Sequence, residues 1–248
     1  DDVLAAAEHE RERERQRRAA FPTPLHRAAD AYVVARGSGS TLVAGYPWFT
    51  DWGRDTFLAM RGLCLATGRL DVARQVLGEW ARHVSAGMLP NRFPDRGETI
   101  EYHTADAALW FVVAADEFLR HRASTAAERK QLVDAVLAIV AGYAAGTRHG
   151  IAMDPMDGLL RAGEPGRQVT WMDAIVDGQV VTPRIGKPVE LQALWINALA
   201  IASRHDARWH TARKRAQNSF EQRFWSHQHG FLFDVVDADH VPGRVDAS

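Results

Sequence analysis

Four short clusters of acids, amides and aromatics hold most of the side chains that could do chemistry. The first is GYPWFTDWGRDT, residues 45–56. It gathers Tyr46, Trp48, Asp51, Trp52, Arg54 and Asp55 before a helical stretch. Sugars ask for this mixture. Their C–H faces lie on aromatic rings, and their hydroxyls take paired donors and acceptors such as Arg and Asp. Asp55 could serve only as a helix N-cap, and Arg54 with Asp51 only as a surface pair. That reading accounts for one or two of these residues, not six.

The second cluster is LPNRFPD, residues 89–95, followed by Glu98 and by Glu101, Tyr102, His103 and Asp106. Tyr102 and Asp106 are four apart, so on a helix they would share a face, with Trp110 one turn further. Asp106 could also be a first-turn acid favoured by the helix dipole. His103 has no second His or Cys at metal-ligand spacing, which argues against a metal site and for a hydrogen-bonding loop residue. The third cluster is Thr170-Trp171-Met172-Asp173-Ala174. Its Asp173 is in apolar company, the setting in which a carboxylic acid keeps its proton near neutrality, as a general acid must. A turn or cap role is the alternative. The fourth runs from Val181 to Trp195 and puts Glu190 at a helix start, with Trp195 just over a turn beyond. Glu190 is either a helix-start acid or a ligand for sugar hydroxyls.

Other catalytic patterns are missing. The chain has no GxSxG elbow, no phosphate-binding P-loop and no GxGxxG in a strand–helix setting. Cys64 sits among apolar helical residues and reads as a buried structural thiol. No cofactor is implied. Acids set among aromatics point to glycoside chemistry with paired carboxylates.

The elements that must position these clusters are mainly helices. Apolar periodicity and end signals predict helices over Asp1–Arg18, Asp55–Ala66, Asp71–Ala86, Ala105–His121, Ser124–Thr147, Val189–Ser203 and Ala207–Trp225. Asp71 and Ser124 are the expected N-caps. Gly68 and Gly87 close two of the helices. Phe21-Pro-Thr-Pro breaks the first helix. Residues 28–43 read as a small hairpin around Gly-Ser-Gly-Ser, and Phe231-Leu-Phe as a short strand. Every second connection is long and polar, residues 44–52, 88–103 and 150–188, and loops of such length are usually functional. Helical hairpins with their long loops at one end describe an all-α toroid. No fixed repeat period supports a simple solenoid.

Bulk properties agree with one sizeable domain, residues 1–248, of which 46% are apolar and whose formal net charge is −1. The interleaved Glu and Arg of residues 10–18 read as a solvated helix face, with Glu10–Arg13 and Glu14–Arg18 at pairing distance. Neither nucleic acid nor membrane is an expected partner. One cysteine, and a charged rather than apolar N-terminal stretch, fit a soluble, cytoplasmic protein.

The motifs GYPWFTDWGRDT, LPNRFPD, EYHTADAALW (101–110), TWMDA (170–174) and VTPRIGKPVELQALWINAL (181–199) together resemble the amylo-α-1,6-glucosidase domain of glycogen debranching enzymes. They stand in that family's order. The resemblance implies an (α/α)6 barrel with a glucose pocket at its loop face. It implies hydrolysis, with inversion, of the α-1,6-linked glucosyl stub at a branch point of glycogen or another branched α-glucan. It gives Asp173 the general-acid role. It places Trp52, Arg54, Asp55 and Glu190 at the glucose subsite, and more weakly Asn91, Arg92, Tyr102, Asp106, Trp171 and Trp195. His103 departs from the family, which usually has Asn there.

Twelve helices with long loops take roughly 350 residues. The barrel is therefore expected to be incomplete here, with its general base, a Glu, beyond Ser248. An inverting enzyme holds that base roughly 6.5–9.5 Å from the acid, with a water between. Two other readings stand beside the glucosidase. One is a glucan-binding module that does not catalyse, whose open helix faces would invite self-association. The other is a sugar epimerase, disfavoured because its paired His bases are missing.

Overall fold

The computed structural model describes residues 2–45, 48–94 and 99–247. Tyr46, Asp95 and Glu98 lie outside them. Eight α-helices dominate the described residues: α1 (Asp2–Ala19), α2 (Pro24–Asp30), α3 (Gly53–Met60), α4 (Leu70–Ala81), α5 (Asp106–Arg120), α6 (Ala126–Ala145), α7 (Val189–Ala202) and α8 (Trp209–Arg223). The fold is mostly α.

α5 packs against α3, α6 and α7; α4 packs on α5 and α6, and α8 on α7. The sequence explains the central place of α5. Ala107, Ala108, Ala114 and Ala115 let neighbouring helices approach, and Leu109, Phe111, Val112 and Phe118 fill the space between; all are 0% exposed. A helix apolar on nearly every side is stable only when buried on nearly every side. Phe57 of α3 ties α4 and α5 together, edge-on to Trp80 of α4 at 5.1 Å and to Phe111 of α5 at 5.2 Å. Burying one such ring contributes about 1.5–3 kcal/mol. α1 lies outside this core; its Glu10–Arg13 and Glu14–Arg18 pairs form on an exposed helix.

Strands are short. β1 (Val33–Arg36) and β2 (Gly39–Leu42) make the expected hairpin. In the long loop between α6 and α7, β3 (Ala152–Met153) pairs with β4 (Leu160–Arg161), and β5 (Ile175–Val176) with β6 (Gln179–Val180). β7 (Lys187–Pro188) leads into α7. After α8, β8 (Trp225–Ser226) pairs with β9 (Phe231–Leu232). β10 (Val235–Val236) lies between β7 and β11 (Val245–Asp246).

Several local expectations are corrected. Phe21-Pro-Thr-Pro does end α1, but Pro24 also opens α2, which no end signal predicted. That proline stands at the first turn, where a missing N–H costs nothing, and Thr23 caps the helix. Asp71 is a first-turn acid of α4, not its cap. Thr125, not Ser124, caps α6, in a reciprocal capping box with Glu128. α4 ends at Ala81, and residues 85–88 form a turn beyond it. Gly87 in that turn has φ +81°, and a Cβ there would meet Gly142 Cα of α6 at 2.8 Å, so only glycine lets turn and helix touch. α3 ends in a π-helical turn, Arg61–Leu65, which carries the buried Cys64. Burial pushes that thiol up to about 11, so it is inert. Among the described residues no helix is long and apolar enough to cross a membrane.

Candidate active site

The sequence clusters meet where α3, α5 and α7 begin. Arg54 is the second residue of α3, Asp106 the first of α5 and Glu190 the second of α7. The start of α3 is drawn in by Gly53, whose N–H donates to Asn91 O at 2.8 Å. A Cβ at Gly53 would meet Pro90 O and the Trp80 ring, each at 3.1 Å. The start of α5 is tied to the third cluster, because Ala105 N–H donates to Val169 O at 2.7 Å. Three loops thus bring acids and arginines together at the helix entrances.

Arg54 is the hub. Its Nε donates to Asp106 Oδ2 at 2.6 Å and its Nη1 to Asp173 Oδ2 at 3.2 Å. Burial works against the Arg54 charge, but the attraction and bonds of Asp106 and Asp173 outweigh it and hold the guanidinium charged. Asp106 is 3% exposed. Burial raises its pKa against the pull of Arg54 and of the backbone N–H groups of Asp106 and Ala107. Beside it, Arg184 bonds Glu190 and also reaches Asp234 O and Met172 Sδ. Burial raises Glu190 too; Arg184 opposes this and nearby Asp106 adds to it. Arg54 Nη2, Asp106 Oδ1, Thr170 Oγ1, Arg184 Nε and Glu190 Oε1 are buried atoms without a hydrogen-bond partner among the described residues. Native proteins seldom leave such atoms bare, so these five groups have unmet hydrogen-bonding capacity where the helix entrances meet. A cleft of about 820 Å³ between β1–β2, α4 and α6 contains none of these groups.

The predicted residues divide. Arg54, Asp106, Asp173 and Glu190 share the site. Arg92 lies over the Trp52 ring at 5.9 Å and Trp171 stands 53% exposed. Asn91 is 3% exposed and braces residues 103 and 104. Asp55 is an exposed first-turn acid of α3, whose N-cap position is Trp52. Asp51 pairs with Arg36, not with Arg54.

Three expectations are corrected. Tyr102 precedes α5 and shares no helical face with Asp106; its hydroxyl donates to His83 O at 3.2 Å and Arg148 covers its ring. Trp195 is 0% exposed and donates through Nε1 to Gly158 O at 3.0 Å, so it is a core residue. The Asp173 side chain is 51% exposed, and its apolar neighbours do not enclose it, because Trp171 and Ala174 also face outward.

Two residues escaped the sequence reading. Arg184 stands six positions before Glu190 and is the partner of that acid. Lys187 is 2% exposed, and its Nζ donates to Asp154, Asp157 and Asp237 at 2.8, 2.7 and 2.8 Å. The three carboxylates lie within 4.8 Å of one another, a spacing that could suit a metal, but here an ammonium occupies their centre. The one available signal was a pair of cations in a Gly- and Pro-containing loop, and it names no partner.

Fold and site define a mostly helical domain in which arginine-held acids gather where α3, α5 and α7 begin. The chain belongs to the amylo-alpha-1,6-glucosidase family, whose model matches residues 27–246. It is also similar to the glycogen debranching enzyme of Saccharomyces cerevisiae, 34% identical over 84 residues, which are 32% of this chain and 5% of that protein. The matched stretch is thus a small part of a far longer relative.

Proposed function

We propose that this chain carries the acid and the glucose pocket of a debranching glucosidase acting on α-1,6-linked glucosyl stubs of glycogen or a related branched α-glucan. The observation that carries this is the cluster of partnerless buried atoms on Arg54, Asp106, Thr170, Arg184 and Glu190. Glucose hydroxyls both donate and accept, and so can serve all five. Trp52 and Trp171 offer aromatic faces at the rim.

Asp173 is the proposed general acid. It protonates the glycosidic oxygen as the C–O bond breaks. At rest its carboxylate accepts from Arg54. A sugar hydroxyl that takes over Arg54 Nη1 would release Asp173 from that bond. Inversion also needs a second carboxylate to activate water. Asp106 and Glu190 are each committed to an arginine. The family resemblance supplies a Glu as that base, and no residue of this chain takes the role by motif; α3 to α8 would form part of an (α/α)6 barrel.

That commitment of both buried acids also favours a second reading, in which these residues bind glucan without cleaving it. Glucose release from an α-1,6-glucosyl-branched dextrin, by a protein that includes the complete barrel, separates the two. Release by the wild type that is lost in Asp173→Asn supports the glucosidase. Equal release by both proteins removes Asp173 from the reaction. Binding without release by either leaves the second reading.

A further inference from the structure

Asn91 and His103 face each other between the loop after α4 and the segment that enters α5. The Asn91 Oδ1 accepts twice, from the His103 backbone N–H at 2.9 Å and from Thr104 Oγ1 at 3.3 Å. An amide whose oxygen is so used presents its NH2 at the other end, and an NH2 only donates. That NH2 meets Nε2 of His103. Nε2 is therefore the acceptor, and the proton of the neutral ring sits on Nδ1, which faces Glu101 Oε2 at 3.6 Å.

A protonated His103 cannot keep this arrangement. Its Nε2–H would point at the Asn91 NH2, donor against donor. Turning the amide over would restore that contact but would set the NH2 against the His103 backbone N–H. Either way one bond of a buried amide is lost. The charged groups around the ring are Glu101, Arg167, His149 and Asp173. Burial disfavours the imidazolium, Glu101 and Asp173 favour it, and Arg167 and His149 oppose it; on balance His103 is held below the usual histidine value.

The bond at stake joins two parts of the site. Asn91 O accepts from Gly53 N–H at 2.8 Å, next to Arg54, and Asn91 N–H donates to Glu101 O at 2.8 Å. The Asn91 side chain holds residues 103 and 104, two positions before Asp106. One amide therefore sets the entrance of α3 against the entrance of α5, where Arg54 meets Asp106.

We infer that His103 is a positioning residue that acts only as the neutral Nδ1–H tautomer: it holds Asn91, and through Asn91 the register of Arg54 against Asp106, and its protonation slackens the glucose-binding end of the site. The link to glucose rests on the function proposed above; the tautomer and the brace do not.

The test is a pH titration of the whole chain labelled with ¹⁵N, followed by NMR from neutrality to about pH 5, with His103→Gln as control. The Gln carbonyl can accept the same bond and cannot titrate. At neutrality the wild-type ring is expected to carry its proton on Nδ1. The Gly53 amide is expected to shift with the His103 titration in the wild type and to be indifferent in His103→Gln. Binding of a linear α-glucan should weaken roughly tenfold through the same transition in the wild type alone. An Nε2–H ring at neutrality, or a Gly53 amide that ignores the His103 titration, overturns the inference whether or not the chain binds glucan. An identical acid loss of glucan affinity in both proteins overturns its functional half. A chain that binds glucan but releases no glucose leaves the His103 result standing.

Discussion

Arg54 and Asp106 are 52 positions apart, yet they meet through a 2.6 Å bond at the first turns of two neighbouring helices. The pair has a cost as well as a use. Two charges withdrawn from water repay their desolvation only while both are present. Replacing Arg54 with Met leaves Asp106 buried and unpaired. The expected loss of stability is about 3–5 kcal/mol near neutral pH. An unpaired, buried Asp106 titrates above its unfolded value, so its penalty is full above the folded pKa and vanishes below the unfolded one. Urea unfolding of wild type and Arg54→Met near pH 8 and pH 5 should therefore show a smaller gap at the lower pH. An equal gap at both would mean that Asp106 is not the source of the loss.

Lys187 performs a comparable task for the other wall of the site. Its ammonium gathers the 154–157 turn and Asp237, while Arg223 of α8 bonds both Asp157 and Asp237. β7, which contains Lys187, separates Arg184 from Glu190. Burial raises Asp237, but bonds from Arg223, Lys187 and the Gly243 N–H outweigh it and bring the group down to about 2. Asp154 is also held low: burial raises it, and Lys187 and the Met156 N–H more than compensate. Both groups have depressed values, so their stabilisation is present above the unfolded carboxylate pKa and is lost as pH falls toward about 2. Lys187→Met should cost ~3 kcal/mol or more by denaturant unfolding at neutral pH. The further variant Lys187→Ala should gain thermal stability from added calcium, since Asp154 would then lose its ammonium and Asp157 and Asp237 would share Arg223 alone. A Lys187→Met protein as stable as the wild type would show that the ammonium is dispensable.

Helix periodicity was legible because α4 and α5 carry strong local patterns, α6 was legible from its length and N-terminal capping signals, and the four clusters stood out as unusual mixtures of acids, amides and aromatics. What sequence did not give was choice between near neighbours. Ser124 and Thr125 are both good caps, and only the position of Glu128, three residues after Thr125, selects the latter. Nor did it give direction. Tyr102 and Asp106 have helical spacing, but the helix starts at Asp106, so Tyr102 follows an extended path toward His83. Partners far apart in the chain were beyond reach: Lys187 and Asp237 are 50 positions apart and meet only because β7 pairs with β10. Arg184 could have been noticed as a cation near Glu190, yet its burial depends on the same pairing.

Trp171 and Trp195 stand in opposite surroundings, one half exposed and the other fully buried. Both belong to motifs shared with the family, and both were expected at the sugar site. Trp195 is enclosed by the core, near Tyr143 at 6.3 Å, with its N–H committed to Gly158 O. Trp171 is half exposed, two positions before Asp173. Trp195→Phe removes volume and leaves a buried carbonyl unpaired, at an expected cost of about 1–3 kcal/mol of stability. Its effect on α-glucan affinity should be small in the folded fraction. Trp171→Ala should change stability by no more than about 0.5 kcal/mol, as at most surface positions. It should weaken α-glucan binding roughly fivefold to tenfold, through loss of an aromatic face. Thermal melts and calorimetric titrations on the same two variants read both quantities. If Trp195→Phe lost affinity and kept its melting temperature, the assignment of the two rings would have to be exchanged.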